Sequence, residues 1–227
     1  MNKIAILTSG GLDSSVLMAD EARTHEVYPI YVRCGLAWED EERKALDAFL
    51  KALDSPNVRP VTTLAVPVAP MYGDHWSTGV NGVPGADEPD TSVFLPGRNI
   101  LLVGLAAVWC STHNVSQIGI GSLGGNPFSD ASPDFFSKFA SALTIGLDHF
   151  VEVKAAFREL HKWEIVRRFQ DLPLDLTLTC MAPAAGKHCG QCNKCSERQV
   201  AFDRSGVRDL TSYATPHTNS NMQNGSH

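Results

Sequence analysis

Five short apolar runs, Ile4 to Leu7, Val27 to Val32, Val61 to Val66, Gln117 to Ile120 and Phe150 to Val153, are separated for the most part by helix-like segments. Strand and helix alternating in this way predict a doubly wound α/β fold, a parallel five-stranded sheet covered on both faces. The chain of 227 residues, 43% hydrophobic and 19% charged, suffices for one substantial core and a small appendage. A collagenous, disordered or short disulfide-stapled chain is excluded.

The clearest helical pattern runs from Asp40 to Leu53. Leu46, Phe49, Leu50 and Leu53 recur at i, i+3, i+4 and i+7, and Glu39 to Lys44 supplies the wet face. Asn99 to Ser111 is apolar nearly all round, as suits a helix buried under neighbours. Pro133 to Ile145 begins with a proline and an Asp, a favoured helix start. His161 and Lys162 open a further helix beyond the fifth strand and are assigned no chemistry; Trp163 and Phe169 read as core.

Pro67 to Gly97 holds five prolines and five glycines with little periodicity. So long an irregular stretch inside a compact domain is expected to cover a binding site. After Leu210 there is no Asp, Glu, Lys or Arg, and residues 213–227 are expected to form a disordered tail. The expected organisation is an α/β domain over 1–170, a C-terminal subdomain over 171–212 and that tail.

A formal net charge of -6 offers no bulk positive field for nucleic acid or anionic lipid, so no stable nucleic-acid partner and no membrane are expected. The longest mainly apolar stretch, Ile100 to Cys110, is well short of the roughly 20 residues that cross a bilayer. Met1 to Leu7 is followed by glycine and Asp, not by a long apolar region, so no secretory signal and a cytoplasmic location are expected. The sequence admits a homodimer without specifying one.

Directly after the first apolar run comes Thr8-Ser9-Gly10-Gly11-Leu12-Asp13-Ser14-Ser15, and Val16, Leu17 and Met18 continue into a helix. Adjacent glycines let backbone amides converge at a helix N-terminus, and Ser9, Ser14 and Ser15 add hydroxyl donors, a combination that binds phosphate. No Lys follows the glycines as it does in the GxxxxGK[ST] loop, and Asp13 makes better sense as a Mg²⁺ ligand than as a phosphate contact. The competing reading is a glycine turn with Asp and Ser capping the helix.

Cys180, Cys189, Cys192 and Cys195 are spaced C-x8-C-x2-C-x2-C, with Lys187, Lys194 and Arg198 near enough to offset negative charge. Four thiolates suit a tetrahedral structural Zn²⁺ with no open position; an iron–sulfur cluster or redox disulfides are the alternatives. His188 is expected to face solvent, and Cys34 and Cys110 to be small core residues.

Ser9 to Ser14 resembles the SGGxDS loop of the N-type ATP pyrophosphatases. With the cysteine loop, with Phe94-Leu95-Pro96-Gly97-Arg98-Asn99, with His188 to Cys195 and with Arg198 through Ala201-Phe202, the chain is similar over roughly residues 1–204 to the 7-cyano-7-deazaguanine synthase family. The resemblance implies an adenine nucleotide alpha hydrolase-like fold with ATP, Mg²⁺ and Zn²⁺. It also implies the conversion of 7-carboxy-7-deazaguanine and ammonia to the nitrile through adenylated intermediates. On this reading Leu7 to Leu17 cradle the nucleotide, and Asp13, Ser14, Arg98 and, as second choice of cation, Lys154 carry the chemistry. Arg98, Asn99, Gly121, Ser122, Asp130 and Phe135 meet the acyl substrate. Plainer roles compete: a helix-start contact for Arg98, a glycine-rich turn at Gly121 to Asn126, and helix capping by Asp130 or Asp134.

The chain departs from that family's usual pattern at Arg33-Cys34-Gly35-Leu36-Ala37-Trp38, at Thr177-Leu178-Thr179-Cys180 and at Gly124 to Asp130. These departures bear on the acyl substrate, not on ATP or zinc. Two other classes stay open: a relative adenylating another carboxylate or a nucleic-acid carbonyl, and a non-catalytic zinc-stabilised nucleotide-binding protein.

Overall fold

The computed structural model describes residues 1–215. Five strands, β1 (Asn2–Leu7), β2 (His25–Arg33), β3 (Thr62–Ala65), β4 (Gln117–Ile120) and β5 (Glu152–Lys154), form one sheet in the order β3-β2-β1-β4-β5, every pairing parallel. The helices are α1 (Leu12–Glu21), α2 (Glu39–Leu53), α3 (Ala69–Tyr72), α4 (Arg98–His113), α5 (Pro133–Leu147), α6 (Lys162–Arg168) and α7 (Asn193–Ser205). The chain winds outward from β1 to β3, then restarts at β4 on the other side of β1. The loops leaving β1 and β4 therefore open a crevice between them, the place where such sheets bind ligands.

The pleat of β1 explains the two-sided burial. Ile4 and Ile6 point into a core with Val16, Leu46, Phe49, Ile165 and Phe202, whereas Ala5 and Leu7 point into a second with Ile30, Val103, Ala106 and Ile118. A strand covered on both faces reads as a continuous apolar run, as observed.

Two helix expectations need correction. In α4 only one face is buried, through Val103, Ala106, Ala107 and Cys110, while Ile100 and Val108 are exposed. The helix also touches α5, and Leu101, Leu102, Leu105 and Trp109 are only partly buried. In α2, Leu46 and Phe49 are fully buried as expected, but Glu39 and Glu42 are buried too and are not part of a wet face. Their carboxylates are satisfied locally. Glu39 accepts from the Cys34 and Gly35 amides, and Glu42 from Trp38 Nε1 at 3.0 Å and the Tyr31 hydroxyl at 3.3 Å.

The C-terminal segment folds back on the sheet through α7, which packs against α6. Arg198 is wholly buried: its guanidinium donates to Thr211 Oγ1 at 2.9 Å, Thr177 Oγ1 at 2.9 Å and the Leu174 carbonyl at 2.7 Å, and it lies over the Phe202 ring. Ala214 N donates to His188 O and Thr215 N to Cys189 O, so residues 213–215 of the expected tail hydrogen-bond to the cysteine loop. The remainder of that tail lies outside the described residues.

Candidate active site and metal centre

Gly10 takes φ +75°, and a Cβ there would stand 2.5 Å from the Glu42 carbonyl oxygen and 2.9 Å from Leu46 N. Only glycine lets the first loop pass beneath the first turns of α2. The loop then enters α1 at Gly11, an N-cap with no side-chain acceptor. The first-turn amides of Leu12, Asp13 and Ser14 have no partner four residues back, and these residues line the cavity above them. Ser9 N donates to Ser14 Oγ at 3.3 Å and Gly11 N to Ser9 Oγ at 3.3 Å, holding the loop curled.

The loop after β4 meets this turn from the other side of the crevice. A Cβ on Gly121 would lie 2.9 Å from Ser14 N and 3.0 Å from the Asp13 carbonyl carbon, so that glycine is what allows the two loops to touch. Between and above them opens a cavity of 870 Å³. Trp76, Ala86, Glu88 to Asp90 and Val93 to Leu95 of the long Pro/Gly segment contribute to its walls, as expected of a segment that covers a site.

One charged cluster sits at its base. The Lys162 ammonium, at the first position of α6, lies 3.2 Å from Asp13 Oδ2 and 2.7 Å from Glu197 Oε1; Glu197 Oε2 in turn meets Lys194 at 2.8 Å. The Lys162 side chain is only 11% exposed. Burial alone would pull its proton affinity down, but Asp13 and Glu197 more than offset this and hold it above the ordinary lysine range. Burial raises Asp13, with Lys162 opposing. Asp13 Oδ1 is buried without a hydrogen-bond partner, as are Thr8 Oγ1 and Ser15 Oγ close by. An orphaned carboxylate oxygen beside a phosphate-type turn fits a Mg²⁺ ligand.

The structure brings together most, not all, of the residues singled out in the sequence. Leu7, Thr8, Ser9, Gly11, Leu12, Asp13, Ser14, Arg98, Asn99, Gly121 and Asp130 line the cavity. Val16 and Leu17 instead point into the core, and Ser15 is buried behind the turn. Lys154 pairs with Glu152 at 3.6 Å on β5, outside the cavity wall, because β5 ends before the crevice. Phe135 stacks on Phe139 at 5.3 Å, and Ser122 is buried beneath the β4 loop; neither lines the cavity. Asp130 accepts from Asn99 N at 3.0 Å while Asn99 Nδ2 donates to the Asp130 carbonyl, so this carboxylate also caps α4.

Lys162 is the cation that sequence reasoning missed. The available signal was a physical oddity: a lysine opening a helix, where the macrodipole disfavours positive charge. Glu42 was missed as well. It lines the cavity with Tyr31 and Trp38, and Trp38 stacks on Trp76 with centroids 5.7 Å apart. Burial lifts Glu42 to about 7, with the Arg98 charge and the Trp38 hydrogen bond opposing.

The four cysteines are free thiols whose sulfur atoms all lie within 4.8 Å of one another. Cys189 Sγ is 3.8 Å from Cys195 Sγ, and Cys192 Sγ is 4.0 Å from Cys180 Sγ. Sulfurs at the corners of a tetrahedron around zinc, each about 2.3 Å from the metal, stand about 3.8 Å apart, so a set within 4.8 Å is compatible with the ion. Backbone amides of Ala182 and Cys189 donate to Cys180 Sγ, that of Gly190 to Cys195 Sγ, and those of Gln191 and Cys192 to Cys189 Sγ. Such donors offset thiolate charge. His188 does not face solvent: it is 4% exposed, and its Nε2 accepts from Thr179 N at 3.1 Å, bracing the strand of chain that carries Cys180.

Residues 3–206 match the family described as queuosine biosynthesis protein QueC. The chain belongs to the QueC family. Similar relatives include 7-cyano-7-deazaguanine synthase 1 of Desulfitobacterium hafniense, 28% identical over 88% of this chain and 91% of its own. The 7-cyano-7-deazaguanine synthase of Methanobrevibacter smithii is 28% identical over 94% and 99%, and that of Xanthomonas euvesicatoria pv. vesicatoria 29% identical over 94% and 99%. Of the three segments singled out in the sequence for departing from the family's usual pattern, Trp38, Leu178, Thr179 and Gly124 to Phe128 with Asp130 line the cavity, whereas Arg33 to Ala37 do not.

Two outcomes follow. Cys192→Ser is expected to release zinc and lower the thermal midpoint by on the order of 10 °C, because structural metal binding is folding free energy; unchanged metal content contradicts the four-thiolate site. For Glu42, the folded proton affinity exceeds the unfolded one, so its contribution is complete below about pH 4.5 and is lost as pH rises through about 7. Thermal denaturation of Glu42→Gln against the parent from pH 5 to pH 8 is expected to show the parent losing roughly 2–3 kcal/mol relative to the variant. Parallel curves contradict a buried, proton-binding Glu42.

Proposed function

We propose that this protein is a 7-cyano-7-deazaguanine synthase that activates 7-carboxy-7-deazaguanine with ATP and converts it, with ammonia, to the nitrile. The family match supports the pathway. The observation that carries the ATP part is the orphaned Asp13 carboxylate oxygen and the Lys162 ammonium beside the unpaired amides of the first turn of α1.

A carboxylate cannot expel oxide, so its oxygen must be turned into a leaving group. Attack of the substrate carboxylate on the α-phosphorus breaks the α–β bridge, forms the acyl adenylate and releases pyrophosphate. Ammonia displaces AMP, losing a proton and leaving the amide. Attack of the amide oxygen on a second ATP releases a second pyrophosphate and, with loss of one N–H proton, leaves the adenylated imidate, from which loss of AMP and the remaining N–H proton gives the nitrile. Each nitrile thus consumes two ATP and one ammonia.

Negative charge accumulates on the phosphorus oxygens and on the departing pyrophosphate. The amides of Leu12 to Ser14 and the Lys162 ammonium are preorganised donors for it. Mg²⁺ held by Asp13 would neutralise charge on the leaving group. Arg98, whose charge reaches Glu42 across the cavity, is suited to hold the substrate carboxylate, and the Trp38–Trp76 stack offers an aromatic surface for a planar ring. Because Gly124 to Phe128 and Asp130, in the loop singled out for departing from the family pattern, line the cavity, adenylation of a related planar acid is the second reading.

Purified protein with ATP, Mg²⁺ and ammonium is expected to form AMP and pyrophosphate only when 7-carboxy-7-deazaguanine is present, with the nitrile detected by mass spectrometry. Lys162→Met is expected to lower kcat/KM by roughly 10²–10³-fold, the usual effect of removing one transition-state donor. AMP formed only with another acid supports the second reading, and no AMP with any acid contradicts both.

A further inference from the structure

The ion cluster at the phosphate turn contains a group from the zinc-binding end of the chain. Cys192 is the N-cap of α7, and Cys195 lies in its first turn; Glu197 follows and reaches Lys162 at 2.7 Å. Asp13 and Glu197 thus grip one ammonium from two elements far apart in sequence. The two carboxylates are not equivalent. Asp13 is the one beside the nucleotide turn with an orphaned oxygen, so a divalent cation would draw it away from Lys162. Glu197 has both oxygens committed to ammonium groups, Oε1 to Lys162 and Oε2 to Lys194.

We propose that Glu197 is a positioning residue that keeps the Lys162 ammonium at the phosphate turn while Asp13 exchanges that lysine for a divalent cation. The proposal rests on the ATP reading above. It assigns α7 a part in nucleotide binding that goes beyond closing the zinc loop. Without the Glu197 charge, Lys162 would be held by Asp13 alone, and the metal would have to compete for Asp13 against its only ion partner.

The test is calorimetry of a non-hydrolysable ATP analogue with the zinc-loaded full chain at stepped Mg²⁺ concentrations. It compares the parent, Glu197→Gln, Lys162→Met and the double variant. Glu197→Gln is expected to keep its zinc, to bind the nucleotide about tenfold more weakly, as loss of one charge-assisted contact implies, and to need several-fold more Mg²⁺ for half-maximal binding. Removing a negative charge by itself would tighten binding of an anion, so weakening is a signature of positioning. In the Lys162→Met background the weakening is expected to vanish.

Equal or tighter binding by Glu197→Gln at every Mg²⁺ level overturns the proposal, as does loss of zinc from that variant or a weakening that persists without Lys162. Those results leave the ATP reading standing. A parent protein with no nucleotide affinity overturns both.

Discussion

A lysine ammonium taken out of water must be paired, and in this protein the pairing of Lys162 holds the site together. Breaking a buried pair of this kind typically costs roughly 3–5 kcal/mol, because the surviving charge is left uncompensated. Its partners come from the turn after β1 and from α7, and the lysine itself opens α6. Three elements that share no local sequence logic are thereby fixed around one positive charge. That charge stands beside amides with no acceptor of their own, which is a preorganised arrangement for a polyphosphate.

The cysteine cluster extends the same constraint outward. The turn that begins α7 also fastens the long Pro/Gly segment: Asn193 N donates to the Pro84 carbonyl at 3.0 Å, Asn193 Nδ2 to the Glu88 carbonyl at 2.8 Å, and Gly85 pairs with Cys192. Leu178 N donates to the Gly10 carbonyl, so the chain leading into the first cysteine also touches the phosphate turn. A metal bound by the four thiolates would stabilise, through these contacts, both the cover and the floor of the cavity. The cysteine loop and the glycine turn, far apart in the sequence, form one structural unit.

Much of this was legible in the sequence, and the failures have physical causes. The apolar runs marked the central strands β1, β2 and β4 most clearly because both of their faces are buried, whereas the edge strands β3 and β5 hold no fully buried residue and gave shorter, more polar signals. The glycine turn and the cysteine cluster were legible because each is a local pattern, and the fold brings the four sulfurs within 4.8 Å of one another. Glu39 and Glu42 were misread because periodicity treats a carboxylate as a surface residue, whereas their partners, Tyr31, Trp38 and the Cys34 and Gly35 amides, are supplied by the fold. Lys154 was named as second choice of cation and Lys162 was assigned no chemistry, because nothing local in the sequence shows which of the two the fold carries to Asp13. The cavity receives Lys162 from the helix after β5 and Lys194 from α7. His188 was read as exposed because nothing local shows that Thr179 N needs an acceptor.

The central claim is that the turn after β1 and Lys162 together form a triphosphate site. A crystal structure of the zinc-loaded protein with Mg²⁺ and an ATP analogue blocked at the α–β bridge tests it most directly. The account predicts phosphate oxygens on the amides of the first turn of α1, Lys162 bonded to the phosphate chain, and the metal on Asp13. Density for the triphosphate elsewhere, or Lys162 still paired to Asp13 with no phosphate contact, would contradict it.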